Sequence, residues 1–350
     1  MRMKKASING IVLMIVIALA LSACSGQPAT SEGENLGSGQ AVSLKLGFAK
    51  CAHCLPMSLT PDFAENVQLE PVNFANGNDV LTALVSKSID IAQVTYMHYI
   101  TALDKGFDVI AISGQVNGGT EMLSAPGLGL KAGDWEGLKS QIQAYKDKNA
   151  SFRIGVSRGS PQDIQLRGEL KLHGIDPVKD VQIVNISNPS DHAATLKRGE
   201  VEMLSTVEPF ASQIRLDGTG ISFALPYDQA SGKLTNLIVT RQDVIDRYPK
   251  EVEETVGALV KLVTKLDQDK AMWLQAINKY TVMDDKIGNE ALKNAFPDYK
   301  MYRNAAIATA NMMKELNYIS KDVSDQVEQH MNYQFLSNVT GKPKEELGFE

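Results

Sequence analysis

From residue 42 onward, short apolar runs of four to eight residues alternate with stretches whose apolar positions recur every three or four residues. That alternation restricts the fold more than any other feature, because strands interleaved with helices must cross over and pair largely in parallel. Residues 43–48 read as a first strand, with Leu44, Leu46 and Phe48 on one face, and 67–74 as a second. Residues 79–87 carry Val80, Leu81, Leu84 and Val85 on one helical stripe, with Asn78 or Asp79 able to cap it. Strand patterns follow at 89–94 and 109–113, with a helical pattern over 97–105 that Gly106 stops. A second series begins after Gly127-Leu128-Gly129-Leu130, with a polar helix over 131–149. It continues with strands at 153–156, 181–185 and 201–205, and helices over 160–172 and 191–198. Ser160-Pro161 is a strong helix start, since Ser caps and Pro is tolerated in the first turn. From about Arg241 the chain reads as helical, with Val252, Val256, Leu259, Val260, Val263 and Leu266 in period.

At 350 residues the chain has about twice the usual domain length, so two domains or two lobes are expected. Its net charge of -6 argues against a nucleic-acid partner, which needs clustered Lys and Arg. Residues 1–23 read as an export signal: Arg2, Lys4 and Lys5 precede an apolar run too short to span a bilayer. The run ends in Leu21-Ser22-Ala23-Cys24, which looks like a bacterial lipobox and makes Cys24 the expected lipidation site. Residues 24–40 are rich in Gly, Ser, Thr and Glu, as a flexible tether is. The expected location is therefore outside the cytoplasm, at the cell membrane, held by the lipid on Cys24.

In open α/β sheets ligands sit beyond the carboxyl ends of strands. That rule selects the loop 50–57, then Asn76, Tyr96 with His98, Gln115 and Asn117, and in the second half Arg158, Ser160, Gln162, Thr206 and Glu208. The first loop reads Lys50-Cys51-Ala52-His53-Cys54-Leu55-Pro56-Met57. Two thiols, an imidazole and a thioether within seven residues form a soft ligand set suited to thiophilic metals, with Cys51 and Cys54 as the metal-ligating pair. A closed structural zinc site is not expected, because a second pair is absent. Haem attachment would need His where Leu55 stands. Three readings of the pair stay open: a disulfide, as exported cysteines tend to form, a redox couple, and direct ligand contact, which the loop's position favours. Glu208 can face a cation or serve a cap or salt bridge, and Met122, Met203 and Met283 read as packing residues.

Three groups of residues resemble the substrate-binding proteins of ABC importers, in the branch for nitrate, sulfonate, taurine and pyrimidine precursors (NMT1/THI5-like or SsuA-like proteins). They are Asn78-Asp79-Val80-Leu81-Thr82-Ala83-Leu84 with Ser88-Ile89-Asp90-Ile91-Ala92; Ile154-Gly155-Val156 with Gly159-Ser160 and Leu172-His173-Gly174-Ile175-Asp176-Pro177; and Ala193 to Glu202 with Glu208-Pro209-Phe210-Ala211. The resemblance implies a two-lobed α/β periplasmic-binding-protein fold (type II), with the ligand cleft between lobes and a helical C-terminal part. Lobe 1 would comprise 41–126 and 225–350, and lobe 2 would comprise 127–224. It further implies a monomeric carrier of a small-molecule ligand, with no catalytic residues and no resident cofactor, that meets an importer's permease and ATPase. The cysteine pair is not the usual content of this loop. It is similar to the organometal-related (SaoB-like) branch, whose ligand would be a soft metal or organometal such as an organomercurial. The alternative ligands are a sulfonate, nitrate or an aminopyrimidine, with Cys51–Cys54 as a structural disulfide. A thiol-dependent enzyme or redox carrier on the same fold is the alternative from another class.

Overall fold

The computed structural model describes residues 42–350. The expected signal, Cys24 and the whole of the tether lie outside the described residues. Among the described residues there are twelve strands: β1 (Ser43–Ala49), β2 (Gln68–Phe74), β3 (Ile91–Thr95), β4 (Val109–Gly114), β5 (Val116–Gly118), β6 (Thr120–Ser124), β7 (Arg153–Val156), β8 (Gln182–Asn185), β9 (Met203–Val207), β10 (Ile221–Ala224), β11 (Asn236–Arg241) and β12 (Ala295–Pro297).

They form two five-stranded sheets, ordered β2-β1-β3-β11-β4 and β10-β6-β9-β7-β8, and a small pair β12-β5. In the first sheet β1 runs parallel to β2 and β3, while β11 is antiparallel to both β3 and β4. In the second, β7 runs parallel to β8 and β9, and β6 is antiparallel to β9 and β10. Each sheet therefore has a parallel part built by βα units and an antiparallel part supplied by the chain crossing between sheets. Strand β6 already pairs in the second sheet, so the first crossing falls ahead of the boundary expected at residue 126.

The first sheet and the C-terminal helices share one large core. In the helix Pro249–Gln268, Val252, Val256, Leu259, Val263 and Leu266 are buried, the stripe that the 3.6-residue period predicts. The second sheet has a separate cluster on each face: Met122, Ile154, Val156 and Met203 point to one, Leu123 and Leu204 to the other. That alternation is the strand period of two. Among the described residues no helix is long and apolar enough to cross a membrane.

Candidate functional site

Six strands end against one small cavity of about 50 Å³. Its first wall comes from the loops after β1 (Ala49 to Cys54) and β2 (Ala75 to Asn78), from the end of β3 (Gln93, Thr95) and from His98 in the helix Tyr96–Asp104 that follows it. The facing wall comes from Ser157, Ser160, Pro161 and Gln162 after β7, Pro189 beyond β8, and Val207 of β9. The cavity lies between the carboxyl ends of the two sheets, where open α/β folds hold ligands.

The β1 loop is pinned on three sides. Trp273, fully buried, donates from Nε1 to the Ala52 carbonyl at 2.7 Å. Asn236 of β11 donates from Nδ2 to the His53 carbonyl at 2.5 Å, and the Ala52 amide donates to the Glu208 carbonyl at 2.8 Å. Cys51 and Cys54 are joined as a disulfide with Cα atoms 5.0 Å apart. Cys51 Sγ lies 3.4 Å from His53 Nε2, and the ligand atoms of Cys51, His53 and Cys54 all fall within 4.8 Å of one another. All three side chains are buried. Burial holds the His53 imidazole down at about 3, so it is neutral at physiological pH. Its Nδ1 has no hydrogen-bond partner among the described residues. Gly119, at φ +87°, leaves the room that the ring occupies, since a Cβ there would run into it.

His98 forms the other imidazole of this wall. Its Nε2 donates to Asn78 Oδ1 at 3.2 Å, which leaves Nδ1 to accept from the Thr95 hydroxyl at 2.8 Å. Burial lowers this ring to about 4. Across the cavity, Ser160 precedes the helix Pro161–Leu172, where unpaired backbone N–H groups and the dipole favour negative charge. Ser160 Oγ is buried without a partner among the described residues. Gln162 Nε2 donates to Thr120 Oγ1 at 3.3 Å.

Of the residues expected from sequence, Cys51, His53, Cys54, Asn76, His98, Ser160 and Gln162 line the cavity. Four others do not. Met57 is fully buried in the core behind the loop, where Gln115 Nε2 approaches its sulfur at 3.8 Å. Tyr96 is also in the core, its hydroxyl accepting from the Tyr302 amide at 3.0 Å. Glu208 turns away into an ionic cluster: it accepts from the Ser212 amide at 2.9 Å and lies 3.4 Å from Arg215, which also binds Glu121 and Glu290. Burial pushes its carboxyl up to about 7, with the Glu121 charge adding to the effect. Arg158 is exposed on a separate surface groove. The Asn117 side chain serves the Thr235 amide, and Thr206 serves His192.

The site also uses residues that the reading of the sequence passed over. Gln93 lies in the buried strand β3, donating to Asn236 Oδ1 at 2.8 Å, while its Oε1 has no partner among the described residues. A glutamine within Ile-Ala-Gln-Val-Thr was the available signal, because a buried amide needs a reason.

The NMT1-like family model matches residues 37–277, more than half of the chain. The chain belongs to the NMT1-like family. It is 26% identical over 188 residues to the bicarbonate-binding protein CmpA of a Synechococcus strain, a match spanning 53% of this chain and 39% of that protein. Among solved structures it resembles the periplasmic nitrate-binding protein NrtA of Synechocystis PCC 6803, with TM-score 0.74, 18% identity and coverage of 88% of this chain and 91% of that one. It also resembles the ligand-binding component of a Staphylococcus aureus ABC-type import system solved with zinc bound (TM-score 0.72, 15% identity, 86% and 100% coverage). The aliphatic sulphonate-binding protein SsuA of Escherichia coli is similar too, with TM-score 0.67 at 15% identity, covering 85% of this chain and 99% of that one. These structural likenesses establish the two-lobed periplasmic-binding-protein fold.

Proposed function

We propose that this chain is the extracytoplasmic solute-binding component of an ABC importer, tethered by a lipid on Cys24. It captures a small ligand as its two lobes close and presents the closed form to a permease driven by its ATPase. The observation that carries this reading is the cavity itself, a space of about 50 Å³ walled by strand ends from both sheets. Drug-sized ligands occupy roughly 300–1,000 Å³, so the occupant is an ion or a molecule of few atoms. Cys51, His53 and Cys54 offer two sulfurs and a neutral imidazole from one buried wall, a donor set for a thiophilic metal or organometal once the disulfide is reduced. A second reading is favoured by the joined sulfurs and by the Ser160 hydroxyl, which has no partner among the described residues: a small oxyanion such as nitrate or a short sulfonate, with Cys51–Cys54 purely structural.

Native mass spectrometry separates the two. The chain is examined with the disulfide reduced and intact, against Zn²⁺, Hg²⁺, methylmercury, nitrate and a short alkanesulfonate. The thiophilic reading expects one equivalent of a soft metal on the reduced protein only, lost in a Cys51→Ser/Cys54→Ser variant. Retention of an oxyanion by the oxidised protein and by that variant, with no metal adduct on the reduced form, overturns it in favour of the second reading.

A further inference from the structure

The helix Pro161–Leu172 is buried over ten of its twelve residues, yet half of those ten are polar or charged: Gln162, Asp163, Gln165, Arg167 and Glu169. Leu166 and Leu170 face the core of the second lobe, as an amphipathic helix should. That polar side, together with Ile164, which is buried in the core of the first lobe, is what meets the first lobe. Gln165 Nε2 donates to the Gly232 carbonyl at 3.2 Å, and Gly168 sits against Met312 and Gln229. Lys171 pairs with Glu315 at 2.7 Å on the rim. A permanent internal seam of this kind would be apolar, because unpaired buried polar atoms are costly. Here Gln165 Oε1 and Glu169 Oε2 both lack partners among the described residues. A seam that separates and is rehydrated has reason to be polar.

Asp163 is the centre of this seam. It is fully buried, and its Oδ1 accepts from Arg167 Nε at 2.8 Å. Its Oδ2 accepts from the Gly159 amide at 3.0 Å and from the hydroxyl of Tyr318. The Arg167 guanidinium lies over the Tyr318 ring, 5.3 Å from its centre. Tyr318 follows the helix Arg303–Glu315, whose Ala306, Ala310 and Met313 belong to the core of the first lobe. One carboxylate thus holds the loop that brings Ser160 to the cavity and a tyrosine from the opposite lobe.

We propose that Asp163 and Tyr318 form a closure clasp, with Asp163 as the positioning residue that couples the cavity loop to the first lobe. This rests on the reading of the chain as a two-lobed binding protein that opens and closes. Separating the lobes breaks the Tyr318–Asp163 bond, frees the Gly159 loop and so loosens the ligand wall at the same step. A bound ligand that fixes Ser160 and Gln162 holds the clasp shut, and the clasp in turn slows ligand escape.

The test is single-molecule energy transfer on the full chain, with dyes on unnatural amino acids placed at Val178 and Val282, which are 76% and 91% exposed and lie in different lobes. Without ligand, Tyr318→Phe is expected to raise the ratio of open to closed molecules about tenfold, equivalent to about 1.4 kcal/mol. Asp163→Asn shifts it in the same direction, and Lys171→Ala, which removes an exposed pair, shifts it less than about twofold. Circular dichroism confirms that each variant is folded. An unchanged ratio in Tyr318→Phe, an equal shift in Lys171→Ala, or a single distance in every protein overturns the clasp. The readout needs no ligand, so failure of the thiophilic assignment leaves it intact. A single distance that persists in the presence of each ligand tested would count against the opening protein itself.

Discussion

Glu208 gives the fold a pH signature that can be isolated by one substitution. Its carboxyl is moved from an ordinary 4.5 to about 7 by burial, while Ser212 and Arg215 resist the shift only in part. A raised folded-state value means that the native protein binds more protons than the unfolded chain between about 4.5 and 7. Stability from this group is therefore gained as pH falls through that window and lost as pH rises through 7. Integrated from pH 7 to pH 5, the difference in proton uptake corresponds to about 1.6 pH units, or about 2 kcal/mol at about 1.4 kcal/mol per unit. Glu208→Gln keeps a carbonyl acceptor for the Ser212 amide but cannot titrate. The buried histidines act in the opposite sense: His53, His98 and His192 are lowered to about 3, 4 and 4, so each costs stability below about 6.5. They are present in both proteins and cancel in the comparison. Urea unfolding at pH 7, 6 and 5 should show wild type gaining about 2 kcal/mol relative to Glu208→Gln on acidification. A difference between the two proteins that stays constant within about 0.5 kcal/mol would refute the reasoning.

Trp273→Phe removes the indole N–H that reaches the Ala52 carbonyl and should cost about 1–3 kcal/mol in urea unfolding, with the cavity loop losing protection in hydrogen exchange. Gly119→Ala places a Cβ against the His53 ring at a backbone angle that L residues avoid. It should destabilise by more than about 1 kcal/mol and weaken soft-metal retention by the reduced protein, read by the same mass-spectrometric titration.

The parallel parts of both sheets were legible because each strand there carries its own apolar alternation and is followed by a helix with a clear start or stop. Asn76 and Ser160 could be read as cavity residues for the same reason: a strand end and a helix start fix where they stand. In the antiparallel parts β4 and β9 were legible, but β6, β10 and β11 were not. Strand β6, Thr-Glu-Met-Leu-Ser, holds Glu121, whose buried carboxylate is neutralised by Arg215, ninety-four residues away. No local pattern announces such a pairing. Strand β11, Asn-Leu-Ile-Val-Thr-Arg, is a short run buried along its whole length and lacks the alternation that marks a half-exposed strand. Tyr96 and Glu208 were placed at the site by their neighbours in sequence, but adjacent positions point to opposite sides of a strand or into different packing layers. The side chains turned inward while their backbone stayed at the cleft.

The position of β11 has a consequence for how the molecule is made. It sits between β3 and β4 in the first sheet, yet the whole of the second sheet precedes it in the chain. Until residue 241 has emerged, β4 lacks its neighbour and β3 presents an unpaired edge. The first lobe begins its own sheet but cannot finish it, whereas the second has all its strands by residue 224. Folding of the N-terminal half is thereby deferred until the middle of the chain is available, which keeps a nascent chain of this kind open for longer than its first ninety residues alone would require.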